Sequence, residues 1–274
     1  MRKIVQVLAT LLQNSYLYGF FKGTIFTGKS KSFCVPGLNC YSCPGAVGSC
    51  PIGALQSVIG SFKYKLSFYV TGLMVFYGVG FGRVICGWLC PFGLIQEVVY
   101  KIPSKKIKTN PFLEKLKYLK YIIFIVFVVL MPMFLVNEFG MGDPYFCKLL
   151  CPAGTIEAGI PLVLMNKSLQ EVLGVLFSWK LFLAISIMIS CVFIYRSFCK
   201  YLCPLGAFYA VFNKYSFFKI ELDAHTCTSC GACTRVCKMD IEPFKTPNNP
   251  ECIRCNDCVK ICPEDSLTSG FKLK

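Results

Sequence analysis

The sequence predicts an α-helical integral membrane protein, with about four transmembrane helices plus interfacial or re-entrant helices, and a small metal-held domain at its C-terminus. Three observations predict it. The 274-residue chain is 55% hydrophobic and only 16% charged, too apolar for an ordinary soluble domain. A Cys-Pro-x-Gly corner recurs where apolar stretches end. From Asp223 the apolar runs stop and cysteine-rich polar sequence begins, dividing a transmembrane domain, 1–222, from a tail, 223–274. About fifty residues are too few for a large core, so metal must hold the tail together.

In chain order, Ile4 to Phe26 follows Arg2 and Lys3 and reads as a first membrane helix, interrupted by Gln6, Gln13 and Asn14. A cleaved signal peptide fits less well, because no clear small-residue cleavage site is present and cysteines follow at once. Leu66 to Cys86, Tyr118 to Val136 and Trp179 to Tyr195 are the further spans, each near the ~20 residues that cross hydrocarbon. Ile156 to Phe177 carries Glu157, Asn166, Lys167, Gln170 and Glu171 and reads as interfacial or re-entrant. Basic residues set the orientation. Lys101, Lys105, Lys106, Lys108, Lys115 and Lys117 fill the loop after the second span, against Lys29, Lys31, Lys63 and Lys65 in the first and Lys148 and Lys167 in the third. That bias places both termini, and so the tail, on the cytoplasmic side of a multi-pass protein of the cell membrane.

A formal charge of +15 suits a basic surface against membrane lipid, and no nucleic-acid-binding module is visible. Nineteen cysteines in so long and apolar a chain read mostly as thiolate ligands rather than a disulfide frame. The single histidine, His225, excludes bis-histidine haem and argues against imidazole-rich zinc or copper sites. It reads as a surface residue.

The corners are CGWLCPFG, with Cys86 and Cys90; YRSFCKYLCPLG, with Cys199 and Cys203; PYFCKLLCPAG, with Cys147 and Cys151; and a stretched CYSCPGAVGSCPIG, in which Cys50 takes the corner position. Pro suits the first turn of a helix, so the Cys before it sits at a helix N-terminus, where free N–H groups and the dipole favour a thiolate. The Gly lets another group approach the backbone closely. Arg83 and Arg196 each stand three residues before the first cysteine of their corner. The shared position reads as a cofactor-binding positive charge, against the plainer role of interfacial anchor. The predicted topology brings Cys86, Cys90, Cys199 and Cys203 together on the inner side. On the outer side Cys34, Cys40, Cys43, Cys50, Cys147 and Cys151 are candidates. Cys43, Cys50, Cys147 and Cys151 are preferred, with Cys40 able to replace one. Cys191 reads as a buried free cysteine. Spacing leaves [4Fe-4S], [2Fe-2S], a single metal, redox-active thiols and copper(I) open. Glu97, Glu138, Asp143 and Glu157, near the corners, read as interface residues rather than catalytic ones.

The tail reads Cys227-x2-Cys230-x2-Cys233-x3-Cys237, then Cys252-x2-Cys255-x2-Cys258-x3-Cys262-Pro263. This double run resembles the two-cluster bacterial ferredoxins. The resemblance implies a ferredoxin-like α+β domain with two [4Fe-4S] clusters and crossed ligation: Cys227, Cys230 and Cys233 with Cys262, and Cys252, Cys255 and Cys258 with Cys237. Two zinc knuckles fit the double run less well. Lys238 stands where the first run of such ferredoxins usually has Pro. Because the tail commits the chain to iron–sulfur chemistry, that reading also ranks first at the corners.

Corners and tail together resemble the NapH/NosR-type membrane polyferredoxins, with YccM-like and CcoG-like relatives. FCVPGLNCYSCPGAVGSCPIGALQ fits the NapH-like branch, while three C-x3-C-P pairs instead of two is a departure. The resemblance implies electron transfer between a cytoplasmic ferredoxin or flavoprotein, or a quinone pool, and an extracytoplasmic redox protein. The carriers would be the tail clusters and one or two further iron–sulfur clusters in the membrane domain. A quinol dehydrogenase subunit and a copper-reducing assembly factor are the alternatives.

Overall fold

A computed structural model of the chain describes residues 1–61, 67–108, 110–138 and 140–272. Lys63, Lys65 and Leu66, used above for orientation and for the start of the second span, lie outside the described residues. The principal helices are α1 (Arg2–Gln13), α2 (Pro51–Gly60), α3 (Phe68–Phe81), α4 (Pro91–Val99), α5 (Leu113–Phe134), α6 (Gly154–Met165), α7 (Val175–Phe193) and α8 (Pro204–Phe212). Pro opens α2, α4 and α8, each immediately after a cysteine, so three corners are helix starts. α2 and α8 pack on α5, while α1 and α7 pack on α4.

Among the described residues α5 and α7 are long and apolar enough to cross a membrane. At ~1.5 Å per residue they extend roughly 33 and 28 Å, against roughly 18 Å for α1 and 21 Å for α3. The stretch from Ile4 to Phe26 is therefore not one helix. α1 stops at Gln13, and the short helix Tyr18–Lys22 follows. The cause is polar. Gln13 donates from Nε2 to Leu89 O at 2.9 Å, and Asn14 donates from Nδ2 to Thr10 O at 3.1 Å. α1 is also built inside out: Arg2, Gln6 and Gln13 are buried, while Ile4, Leu8, Leu11 and Leu12 are exposed. The stretch from Ile156 to Phe177 breaks at Asn166, whose Nδ2 donates to Gly23 O and Leu162 O.

The tail adds β1 (Phe218–Leu222), α9 (Ala232–Val236), α10 (Asp257–Ile261) and β2 (Leu267–Phe271). The strands run antiparallel, with Ile220 opposite Ser269. Ile220, Ile241 and Leu267 form a small core with Cys233, Cys252 and Cys258. β1 precedes the 222/223 boundary read from composition, so the tail's sheet borrows a strand from the preceding segment.

Candidate metal centres

Four cavities are each lined by four cysteines. Cys227, Cys230, Cys233 and Cys262 line the first, and Cys237, Cys252, Cys255 and Cys258 the second. These groupings coincide with crossed ligation. Cys86, Cys90, Cys199 and Cys203 line the third, bringing the two Arg-bearing corners together. Cys40, Cys50, Cys147 and Cys151 line the fourth. It takes Cys40 where the sequence favoured Cys43. Glu157 Oε2 accepts from the Cys40 backbone N–H at 2.8 Å, while Cys43 Sγ faces Asn14 Oδ1 at 3.6 Å. Cys34, Cys43 and Cys191 line none of the four, and all nineteen cysteines are free thiols.

The donor sets fit iron–sulfur clusters. Among the described residues no three His, Cys, Asp or Glu side chains are arranged to hold a single metal ion. Four thiols around a void are the donor set that a four-iron cluster would need. The corner geometry favours thiolates. Gly93 N donates to Cys90 Sγ at 3.4 Å and Gly206 N to Cys203 Sγ at 3.3 Å, both in the first turn of a helix. In the tail Arg254 N donates to Cys252 Sγ at 3.4 Å. The cavities differ in size. The first three are cradles of about 20, 20 and 10 Å³, whereas the fourth opens to about 480 Å³, with Tyr41, Ser57 and Lys180 among its walls.

Arg83 and Arg196 do not line the third cavity; they clamp its two corners reciprocally. Arg83 Nη2 donates to Cys199 O at 3.3 Å, and Arg196 Nη1 donates to Cys86 O. A Cβ on Gly93 would lie 3.1 Å from the Arg196 guanidinium, and one on Gly206 3.4 Å from that of Arg83. The group that the corner glycine admits is therefore the opposite arginine. Both arginines are fully buried and both are paired. Glu97 accepts from Arg196 Nη2 at 2.7 Å, from Arg2 Nη1 at 2.7 Å and from Tyr195 OH at 2.6 Å. Burial alone would push this carboxyl up, but the Arg196 charge and the hydrogen bonds from Arg2 and Tyr195 bring it down to about 2.

Arg83 is paired from the tail. Its Nη1 donates to Glu251 Oε2 and to Pro250 O, both at 2.9 Å, and Lys120 Nζ donates to both Glu251 oxygens. Burial would raise the Glu251 carboxyl, yet the Arg83 and Lys120 charges outweigh it and hold it below its usual range. The same tail segment docks through backbone. Trp88 Nε1 donates to Arg254 O at 2.9 Å, and Asn213 Nδ2 donates to Cys252 O at 2.7 Å. Buried Arg254 donates to Phe81 O, Ser216 Oγ and Asn213 O, and burial lowers its guanidinium to about 10. A Cβ on Gly87 would lie 2.3 Å from Ile253 O, so the contact is backbone to backbone.

The family model described as "4Fe-4S binding domain" matches residues 66–110 and 169–222, one segment around each Arg-bearing corner. An uncharacterized protein of Methanocaldococcus jannaschii, MJ0750, is 31% identical over 220 residues, covering 80% of this chain and 83% of that protein. The putative electron transport protein YccM of Escherichia coli is 27% identical over 202 residues, 70% of this chain and 52% of its own length. The regulatory protein NosR of Stutzerimonas stutzeri is 28% identical over 177 residues, 64% of this chain. The chain belongs to the NapH/NosR-type polyferredoxin family. It spans about half of YccM and 22% of NosR. No solved structure matches it.

Several residues of this polyferredoxin that shape the centres escaped the sequence reading. Glu97 and Glu157, which read from sequence as interface residues, are internal instead: one pins Arg196 and the other Cys40. Glu251 and Arg254 carried no signal, because tail charges read as solvated until their partners are known. Asp143 does stay at the surface, paired with Lys148 at 2.6 Å.

Proposed function

We propose that this polyferredoxin is an integral membrane electron-transfer protein, with the tail on the cytoplasmic side and a chain of four iron–sulfur centres. A cluster bound in each cavity supplies one-electron transfer. The observation that carries the reading is that successive cavities are joined by single packed residues or backbone contacts. Ile220 packs with Cys233 of the first and Cys252 of the second. Ile253 lines the second and sets its carbonyl against Gly87, beside Cys86 of the third. Leu38 lines both the third and the fourth. Exposed apolar residues on α1 (Leu8, Leu12), α5 (Ile122, Ile125) and α7 (Phe182, Ile185, Ile189) support a lipid surround, in which α1 and α3 join α5 and α7.

The residues divide the work. Glu251, Arg254 and Asn213 seat the tail on the third centre, the arginine pair closes that centre, and Glu157 holds Cys40 toward the fourth. The exposure of Cys230 supports the tail end as the docking side for a cytoplasmic ferredoxin or flavoprotein. The fourth cavity is the far terminus, facing an extracytoplasmic redox protein. Its volume of about 480 Å³ favours, as a second reading, a quinol oxidised beside that centre. Iron and acid-labile sulfide per chain, measured anaerobically, test the proposal. The full chain should hold about sixteen irons, and C86S/C199S about twelve. Unchanged iron in C86S/C199S removes the third centre and with it the path.

A further inference from the structure

The corner repeat extends further than its Cys-Pro-x-Gly core. The sixth residue after the corner cysteine is Gln56, Gln96, Glu157 or Tyr209. The two glutamines are fully buried and occupy equivalent places in different centres. Gln96 Nε2 donates to Phe92 O at 3.3 Å and to Cys199 Sγ at 3.1 Å. Gln56 Nε2 donates to Ile52 O at 3.2 Å and to Cys147 Sγ at 3.3 Å. In both, one N–H closes onto the carbonyl four residues back and the other reaches a sulfur on the opposite corner. The amides are held in that sense. Phe146 N donates to Gln56 Oε1 at 2.9 Å, and Cys191 Sγ lies 3.6 Å from Gln96 Oε1. Glu157 and Tyr209, which fill the same place on the other two corners, make backbone contacts instead: Glu157 accepts from Cys40 N, and Tyr209 OH donates to Pro36 O at 3.0 Å. Each corner-built centre thus receives one glutamine N–H on one sulfur.

We propose that Gln96 and Gln56 are positioning residues that set the reduction potentials of the third and fourth centres through these N–H···S hydrogen bonds. The inference rests on the reading of the corners as cluster sites. Reduction adds negative charge to a centre, and part of it resides on the ligand sulfurs. A donor fixed on such a sulfur stabilises the reduced form more than the oxidised one, so its removal makes the centre harder to reduce. Cys191, outside every ligand set, acts here by holding the Gln96 amide.

The test is anaerobic potentiometric titration of the full-length holoprotein, followed by electron paramagnetic resonance, for wild type, Q96M and Q56M. Methionine keeps the length and removes the donor. Each variant should move one component to lower potential, by about tenfold in its reduced-to-oxidised ratio, or about 59 mV for one electron. The two variants should move different components, with iron per chain unchanged. Unmoved midpoints at full iron content, or both substitutions moving the same component, overturn the proposal. Where Q56M or Q96M loses iron, Q56E and Q96E keep the acceptor facing Phe146 or Cys191 and remove the donor. Their midpoints must then fall further, and a midpoint that does not fall overturns the proposal. A wild-type protein holding iron only for the tail overturns the cluster reading of the corners, which is a different failure.

Discussion

Glu251 is the counter-charge on which the docking of the tail depends. It is 8% exposed and serves two fully buried cations, Arg83 and Lys120. Glu251→Ala strands both. Arg83 keeps its bonds to Pro250 O and Cys199 O. Lys120 keeps only a contact with the face of the Tyr121 ring, 5.2 Å from Nζ. Removing one partner of a buried pair costs roughly 3–5 kcal/mol, which Arg83 partly escapes and Lys120 does not. At about 1.4 kcal/mol per tenfold, the docked tail should be disfavoured by about 10² to 10³. Because a buried pair replaced by apolar groups is often neutral, E251A/K120M should recover most of that loss. Pulse proteolysis of the anaerobic holoprotein reads the undocked fraction as release of the tail from the membrane part. Equal cleavage rates for wild type, E251A and the double variant would refute the reasoning.

Three further outcomes follow from the geometry. C40S should lose the iron of one centre while C43S keeps the wild-type iron content; the reverse pattern in an anaerobic iron assay contradicts the fourth cavity as described. Gly87→Ala drives a Cβ to 2.3 Å from Ile253 O, so it should slow electron passage from the tail to the third centre by at least tenfold (~1.4 kcal/mol) without changing reduction of the tail itself, as stopped-flow absorbance would record. Glu97, held at about 2, has a depressed folded-state pKa, so its contribution to stability is complete above about 4.5 and fades as pH falls toward 2. Thermal midpoints of wild type minus E97Q should therefore be flat from pH 7 to 5.

Much of the grouping of cysteines had a signal in the spacing. The tail's double run has the spacing of the two-cluster ferredoxins, whose crossed pattern exchanges the last cysteine of each run, and the matched Arg83 and Arg196 linked the third set. The choice between Cys40 and Cys43 was not legible, since it turns on Glu157, 117 residues away. Span lengths misled for a related reason. Averaged hydropathy does not register that Gln6 and Gln13 of α1 point inward to Cys90 O and Leu89 O. The glutamines six residues after Cys50 and Cys90 were visible as a repeated letter. What was missing was the opposite corner, because a hydrogen bond to a sulfur 91 or 103 residues along has no local signature.

The reciprocal arginine clamp also dictates an order of biogenesis. Arg83 and Cys86 leave the ribosome long before Cys199 and Arg196, and the carboxylate that neutralises Arg83 and Lys120 comes later still, near the end of the chain. Two cations destined for full burial must therefore enter the assembly before their counter-charge has been synthesised. The corners that Arg83 joins can therefore reach their final packing only once the tail has docked. A cluster held between the two corners would then be enclosed only after residues 250–254 have been made.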